Sequence, residues 1–263
     1  MDEFEIIDRF FKGRTESRCD TLLGIGDDAA ILATGGRRLV SEMAALNPMP
    51  APTGDRGIDR GQDEGALAAR ALFAQALLRL ALRRIAPRWA TLALSVERID
   101  GERSAAWLES FAAGMEGICR ACKVELIGGD TTRGANRIVV FAHGLSPKQA
   151  KASTPRQGPA AQAGIALAAA SDGGRLVPSG AGIEPLRLGL RAFSVAAVSD
   201  LIALCRSPVA EGFGRALFRG IEDPDLGSSE KPLVAAIDIR CDEAGKEALR
   251  SYAAKHIEVI ELP

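Results

Sequence analysis

Two glycine–aspartate segments constrain this chain more than any other feature: Gly24-Ile25-Gly26-Asp27-Asp28 and Gly128-Gly129-Asp130-Thr131-Thr132, each directly after a short apolar run. Glycine lets the backbone approach an anion with no Cβ in the way, and free N–H groups in such a turn form an anion-binding nest. Aspartates at the same place hold the cations that offset phosphate charge. Together the two segments point to strands ending in loops that hold a magnesium-bound polyphosphate. Taken singly, each reads first as a tight turn between strands.

Charge and composition narrow the partner. Net charge is −1, with Lys and Arg scattered through both halves, so no basic footprint for nucleic acid and no polybasic membrane patch is present. A small-molecule ligand is the expectation. The acidic start, Met1-Asp2-Glu3-Phe4-Glu5, lacks the basic region of a secretory signal. The longest apolar stretch, residues 66–96, is interrupted by Gln75, Arg79, Arg83, Arg84 and Arg88, so no membrane span and a cytoplasmic protein are expected. Of the five cysteines, only Cys119 and Cys122 are closely spaced. They have no second pair and sit in a helical pattern, which favours buried small residues over a zinc or redox site. His143 and His256 stand apart from any nucleophile or paired metal ligand and are assigned no catalytic part.

Phe4, Ile6, Ile7, Phe10 and Phe11 repeat at helical spacing and predict a short N-terminal helix. Strands are expected at 22–25, 29–33 and 39–41, with a turn at Gly35-Gly36, as a hairpin-like start to a sheet. Residues 47–63, rich in Gly, Pro and mixed charge, read as a long loop. Leu67, Ala71, Ala74, Leu78, Leu82 and Ile85 predict a helix over 64–85 with one buried face, ended by Pro87. Then come a strand at 89–96, a helix at 105–122, and strands at 124–127 and 137–143. The second half predicts an apolar run at 164–170, helices at 188–205, 209–218 and 243–255, and strands at 233–239 and 257–262. Alternating strands and helices with hairpins among them give an α/β (α+β) chain, its first sheet mixed and covered by helices on one face.

In this order, Phe4-Glu5-Ile6-Ile7, Gly24 to Leu32, Pro87-Arg88-Trp89-Ala90-Thr91-Leu92-Ala93-Leu94, Trp107-Leu108-Glu109 and Gly128 to Gly134 resemble the thiamine-monophosphate kinases. These belong with aminoimidazole ribonucleotide synthetase, selenophosphate synthetase and a hydrogenase maturation factor in the PurM-like superfamily. The resemblance implies two domains: residues 1–146 as an ATP- and Mg²⁺-binding, dimerising domain, 147–164 as a linker and 165–263 as a short, divergent C-terminal α/β domain. It implies direct transfer of the ATP γ-phosphoryl group to thiamine monophosphate, in a homodimer. By the same analogy Asp27 and Asp130 are metal ligands with Asp28 beside them, and Ser41, Gly129 and Asp130 contact the nucleotide.

At three positions where the resemblance implies carboxylates, the chain has Met43, Arg79 and Ala197. Glu42 substitutes for the first only if its strand bulges, because adjacent strand residues face opposite ways. Arg79 is either a tethered cation where a metal would sit or an ordinary arginine on a helix flank. In Ala197-Val198-Ser199-Asp200-Leu201, Ser199 is the nucleotide candidate and Asp200 the metal candidate, with a helix cap as the alternative. Two functions follow: a phosphotransferase of this type, or a non-catalytic nucleotide-binding or dimerising relative.

Overall fold

The computed structural model describes residues 3–26, 29–46, 58–96, 102–135, 137–146, 184–190, 194–205, 213–218, 235–241 and 257–261. The chain divides into two compact units, residues 1–77 with 87–145 and residues 78–86 with 146–263.

The first unit opens on helix α1 (Glu3–Ile6), which runs on as a π-helical turn over Ile7–Phe11. Ile6, Phe10 and Phe11 are buried and Phe4 is exposed, so the apolar stripe faces inward from its second member onward. Strands β1 (Thr21–Leu23) and β2 (Ile31–Leu32) pair antiparallel as a two-stranded ribbon of their own. The expected hairpin therefore forms, but the third strand does not extend it. Instead β3 (Leu39–Leu46) is longer than its sequence signal and pairs antiparallel with β6 (Arg137–Leu145).

Between these strands lie helix α2 (Ile58–Leu82), strand β4 (Pro87–Val96), helix α3 (Glu102–Cys122) and strand β5 (Glu125–Arg133). The sheet order is β3-β6-β4-β5; β4 and β5 are parallel and the other pairs antiparallel, which makes the sheet mixed. Residues 58–63, read as loop from their glycine and charge, begin α2, while 47–57 lie outside the described residues.

The buried side of α2 is wider than the single face that its spacing predicted. Leu72, Phe73, Ala74, Ala76, Leu77, Leu78, Leu80 and Ala81 are all buried, and the stripe Ala71, Gln75, Arg79 and Arg83 is half-buried. Leu67, expected on the core face, is exposed. Residues 65–82 are long and apolar enough to pass for a membrane span by length and composition, yet their large side chains are mostly buried, as in a core helix.

The helices α2 and α3 approach until backbone meets backbone. A Cβ on Gly114 would stand 2.6 Å from the Cα and carbonyl oxygen of Ala66, and Ser110 Oγ accepts the Ala66 N–H at 3.0 Å. On the sheet, Ala44, Ala90, Leu92, Leu94, Ile138, Val140 and Ala142 form the buried side, and Phe111, Met115, Ile118 and Cys119 are buried residues of α3. The alternate residues Ser41, Met43, Thr91, Ala93, Val139 and Phe141 keep exposure on the other face.

The largest correction concerns the second glycine–aspartate segment. It is strand, not loop: Gly128, Gly129, Asp130, Thr131 and Thr132 pair with Thr91, Leu92, Ala93, Leu94 and Ser95 of β4. The register shifts at Ile127, a bulge that admits the extra residue before the glycines. Gly129 is required by close approach, since a Cβ there would overlap the Leu92 carbonyl oxygen.

The second unit contains β7 (Glu184–Leu190), α4 (Val195–Cys205), β8 (Phe213–Phe218), β9 (Ala235–Cys241) and β10 (Glu258–Glu261), with an antiparallel sheet in the order β10-β7-β9-β8. Residues 188–190 and 213–218, both read as helical, are strands: pairing with β9 decides over local periodicity. The segments expected at 164–170 and 243–255 lie outside the described residues.

Candidate functional site

A polar clamp joins the first glycine–aspartate segment to the strand that carries the second. Trp89, fully buried at the start of β4, donates its indole N–H to Thr21 Oγ1 at 2.9 Å. The Thr21 hydroxyl in turn donates to Glu125 Oε2 at 2.5 Å, and the same oxygen accepts the Arg18 N–H at 2.9 Å. Glu125 is 6% exposed, and these two donors satisfy a carboxylate that burial would otherwise make costly. The guanidinium groups of Arg18 and Arg88 lie 5.8 and 5.9 Å from the Trp89 ring centroid, and both pair with Asp20. Burial alone would raise the pKa of Asp20; the Arg18 hydrogen bond and the charges of Arg18 and Arg88 outweigh it and hold the carboxyl below its ordinary range.

The consequence of the clamp is proximity. A Cβ on Gly24 would lie 3.6 Å from Thr21 Cγ2 and 3.9 Å from the Ile127 carbonyl oxygen, so the first segment starts beside the bulge that precedes Gly128 and Gly129. Leu32 of β2 packs on the cluster Trp89, Ile127 and Leu145, closing one end of the sheet's open face. Gly26 is the last described residue before Asp27 and Asp28, which lie outside the described residues.

Among the described residues, this face keeps exposure beyond that cover. Asp130 and Gly129 are exposed on β5, and Asp130 shares its face with its β4 partner Ala93. Ser41 is exposed on β3 at the opposite edge of the sheet, three strand spacings or roughly 14 Å from β5. Ser41 and Asp130 are thus on one face but not in contact.

Met43 is also on this face and is 49% exposed. Glu42 is not: β3 pairs with β6 residue for residue from Leu39 to Leu46 with no bulge, so Glu42 sits on the helix-covered side, beside Ala44 in the alternation. It does not take over the position of Met43.

His143, which the sequence motifs leave aside, connects two strands of this face. Its Nδ1 is 2.8 Å from Ser41 Oγ on β3 and its Nε2 is 3.2 Å from Thr91 Oγ1 on β4. Phe141 lies nearly parallel to the ring, 6.4 Å between centroids. Burial lowers the pKa of His143, so the imidazole is neutral at pH 7, with one donor and one acceptor nitrogen. The only sequence trace of this role is the period-two alternation that puts His143 and Phe141 on one face.

The remaining candidates lie in the second unit. Arg79 belongs to the half-buried stripe of α2. Ser199 and Asp200 are in the body of α4, not in a loop, and the cap of that helix is Ser194, whose Oγ accepts the Ala197 N–H at 3.2 Å. Ala197 is buried. Among the described residues no three His, Cys, Asp or Glu side chains gather as a metal site. Cys119 is fully buried, its thiol pushed up by burial and by Cys122, whose own thiol burial pushes up to about 12; neither is a thiolate at neutral pH.

Residues 26–146 match the family described as AIR synthase related protein, N-terminal domain. Over 145 residues the chain is 36% identical to the thiamine-monophosphate kinase of Escherichia coli strain K12, covering 55% of this chain and 42% of that protein. The thiamine-monophosphate kinase of Haemophilus influenzae is 29% identical over 152 residues, again 42% of its length. The chain therefore aligns with less than half of these relatives. Among solved structures, a thiamine-monophosphate kinase from Stenotrophomonas maltophilia K279a superposes with a TM-score of 0.58 at 20% identity, covering 99% of this chain and 93% of that one. Hydrogenase maturation protein HypE in complex with ATP gives 0.55 at 15% identity, over 98% and 84%. These two establish the PurM-like fold. Residues 26–146 thus match an AIR synthase related N-terminal domain, and over 145 residues the chain is similar to thiamine-monophosphate kinases.

Proposed function

We propose that this chain is an ATP-dependent phosphotransferase of thiamine-monophosphate-kinase type. It moves the γ-phosphoryl group of ATP to a phosphate oxygen of thiamine monophosphate or a related small phosphorylated metabolite, acting as a homodimer in the cytoplasm. The new P–O bond forms as the bond to the β-phosphate bridge breaks, leaving ADP. The observation that carries the reading is the approach of the two glycine–aspartate segments, with Gly24 beside the Ile127 carbonyl and the exposed Asp130 three residues further along β5. The names of the relatives supply the substrate class.

Phosphoryl transfer asks a protein mainly for positioning and charge neutralisation, which this face offers through exposed backbone at Gly129 and hydroxyls at Ser41 and Thr91. Magnesium is held by one or two carboxylates together with substrate phosphates, a donor set that Asp130 with Asp27 or Asp28 can supply. Bound there, the ion would offset the charge on the phosphates. Asp200 and Ser199 are the corresponding candidates in the second unit.

The second reading, a non-catalytic nucleotide-binding or dimerising relative, is favoured by Met43, an exposed thioether where the resemblance implies a carboxylate. Calorimetric titration of ATP with and without Mg²⁺, followed by a transfer assay on thiamine monophosphate, separates the two. Binding that needs Mg²⁺ and is lost in Asp27→Ala, together with turnover, supports the enzyme. Binding without turnover supports the second reading, and Met43→Asp should then tighten the Mg²⁺-dependent binding. No ATP binding under any metal condition sinks both nucleotide readings.

A further inference from the structure

We propose that His143 is a positioning residue that turns the Ser41 hydroxyl into a hydrogen-bond donor aimed out of the open sheet face at a phosphate oxygen. The inference rests on the phosphotransferase reading and deepens it. Three side chains from three adjacent strands form one chain of hydrogen-bonding groups, Thr91 Oγ1, His143 Nε2 and Nδ1, and Ser41 Oγ, at 3.2 and 2.8 Å.

The imidazole is neutral, so the chain has a direction. In one sense Ser41 donates to Nδ1 and Nε2–H donates to Thr91, which leaves the exposed serine presenting only lone pairs to the open face. A phosphate, which has only acceptors, is repelled by that arrangement. In the opposite sense Thr91 O–H donates to Nε2, Nδ1–H donates to Ser41 Oγ, and the Ser41 proton is free to point outward. The imidazole and the serine then each give one hydrogen bond and receive one, and each group polarises the next toward the anion.

The ring is braced for this. Phe141 lies nearly parallel beside it, 6° between planes, and both nitrogens are tied to neighbouring strands. The phosphate belongs either to the nucleotide or to thiamine monophosphate, since both present the same oxygens.

The chain has two histidines, so ¹⁵N-histidine NMR resolves the His143 ring directly. Saturating ATP, or thiamine monophosphate in a second titration, should move His143 to the Nδ1–H tautomer in the parent protein and not in Ser41→Ala; the ligand that does so is the one whose phosphate Ser41 meets. In calorimetry His143→Phe and Ser41→Ala should each lose about tenfold in affinity for that ligand, with no further loss in the double variant. His143→Asn, whose amide N–H replaces Nδ1–H, should stay within about threefold of the parent, a bound set by the conserved donor, with melting temperatures as the folding control.

The inference is overturned if bound ligand leaves His143 in the Nε2–H form, or if His143→Phe binds as the parent does, or if the two losses add. Those outcomes leave ATP binding itself intact. A parent protein that binds neither ligand removes the phosphotransferase reading and this inference with it.

Discussion

Gly129 shows how a single missing Cβ can decide local structure. Its position on β5 puts the Leu92 carbonyl where a side chain would begin, so Gly129→Ala must push two paired strands apart. We expect a loss of about 1–3 kcal/mol, read from the urea midpoint, together with weakened ATP binding. Asp20 offers a prediction in pH. Its carboxyl is held below the ordinary value of 3.8, so the stability it contributes is complete above that value and disappears as pH falls through the lowered folded-state value. Asp20→Asn should therefore be less stable than the parent at pH 7, with the gap closing on acidification below about pH 4; an unchanged gap across that range would contradict the pairing. Gly129 and Trp89 are legible in the sequence, as members of short motifs. Glu125 and His143 are not, because the partners that define them, Thr21 and Ser41, are 104 and 102 positions away in the chain.

At the scale of elements, both long helices end in the same way. The Ile85 N–H reaches the Leu80 carbonyl at 3.2 Å and the Arg84 N–H reaches Ala81 at 2.8 Å; after α3, Val124 reaches Cys119 at 2.8 Å and Lys123 reaches Arg120 at 3.2 Å. These are Schellman ends, normally built on glycine, yet the left-handed positions here are Arg84 at φ +57° and Lys123 at φ +56°. Lys123→Gly should relieve that strain and stabilise the protein by about 1 kcal/mol, measured as a raised denaturant midpoint; a lower midpoint would show that the lysine side chain matters more than its backbone. Such ends explain why α2 stops at Leu82, short of the Pro87 breaker that the sequence offers. The strands misread from sequence share one cause. Residues 128–132 and 213–218 carry turn-like or helix-like local signals, but each is held as strand by a neighbour that local periodicity does not reveal.

For the whole molecule, the prediction is one of linkage: ATP with Mg²⁺ at a hundredfold excess over its Kd should stabilise the chain by about 2.7 kcal/mol, seen as a higher melting temperature, and ATP without Mg²⁺ by clearly less. Equal shifts with and without the metal would detach the aspartates from nucleotide binding. The mixed α/β class, the order of elements through the first half and the similarity to thiamine-monophosphate kinases were legible in the sequence, because periodicity and short glycine–aspartate motifs are local properties of a chain. Tertiary structure alone decided that the second motif is a strand, that Glu42 faces away from Met43, that Glu125 clamps the first segment and that His143 bridges Ser41 and Thr91. Each of these depends on which strands become neighbours and in what register, and a one-residue slip in register would reverse which face every one of those side chains occupies.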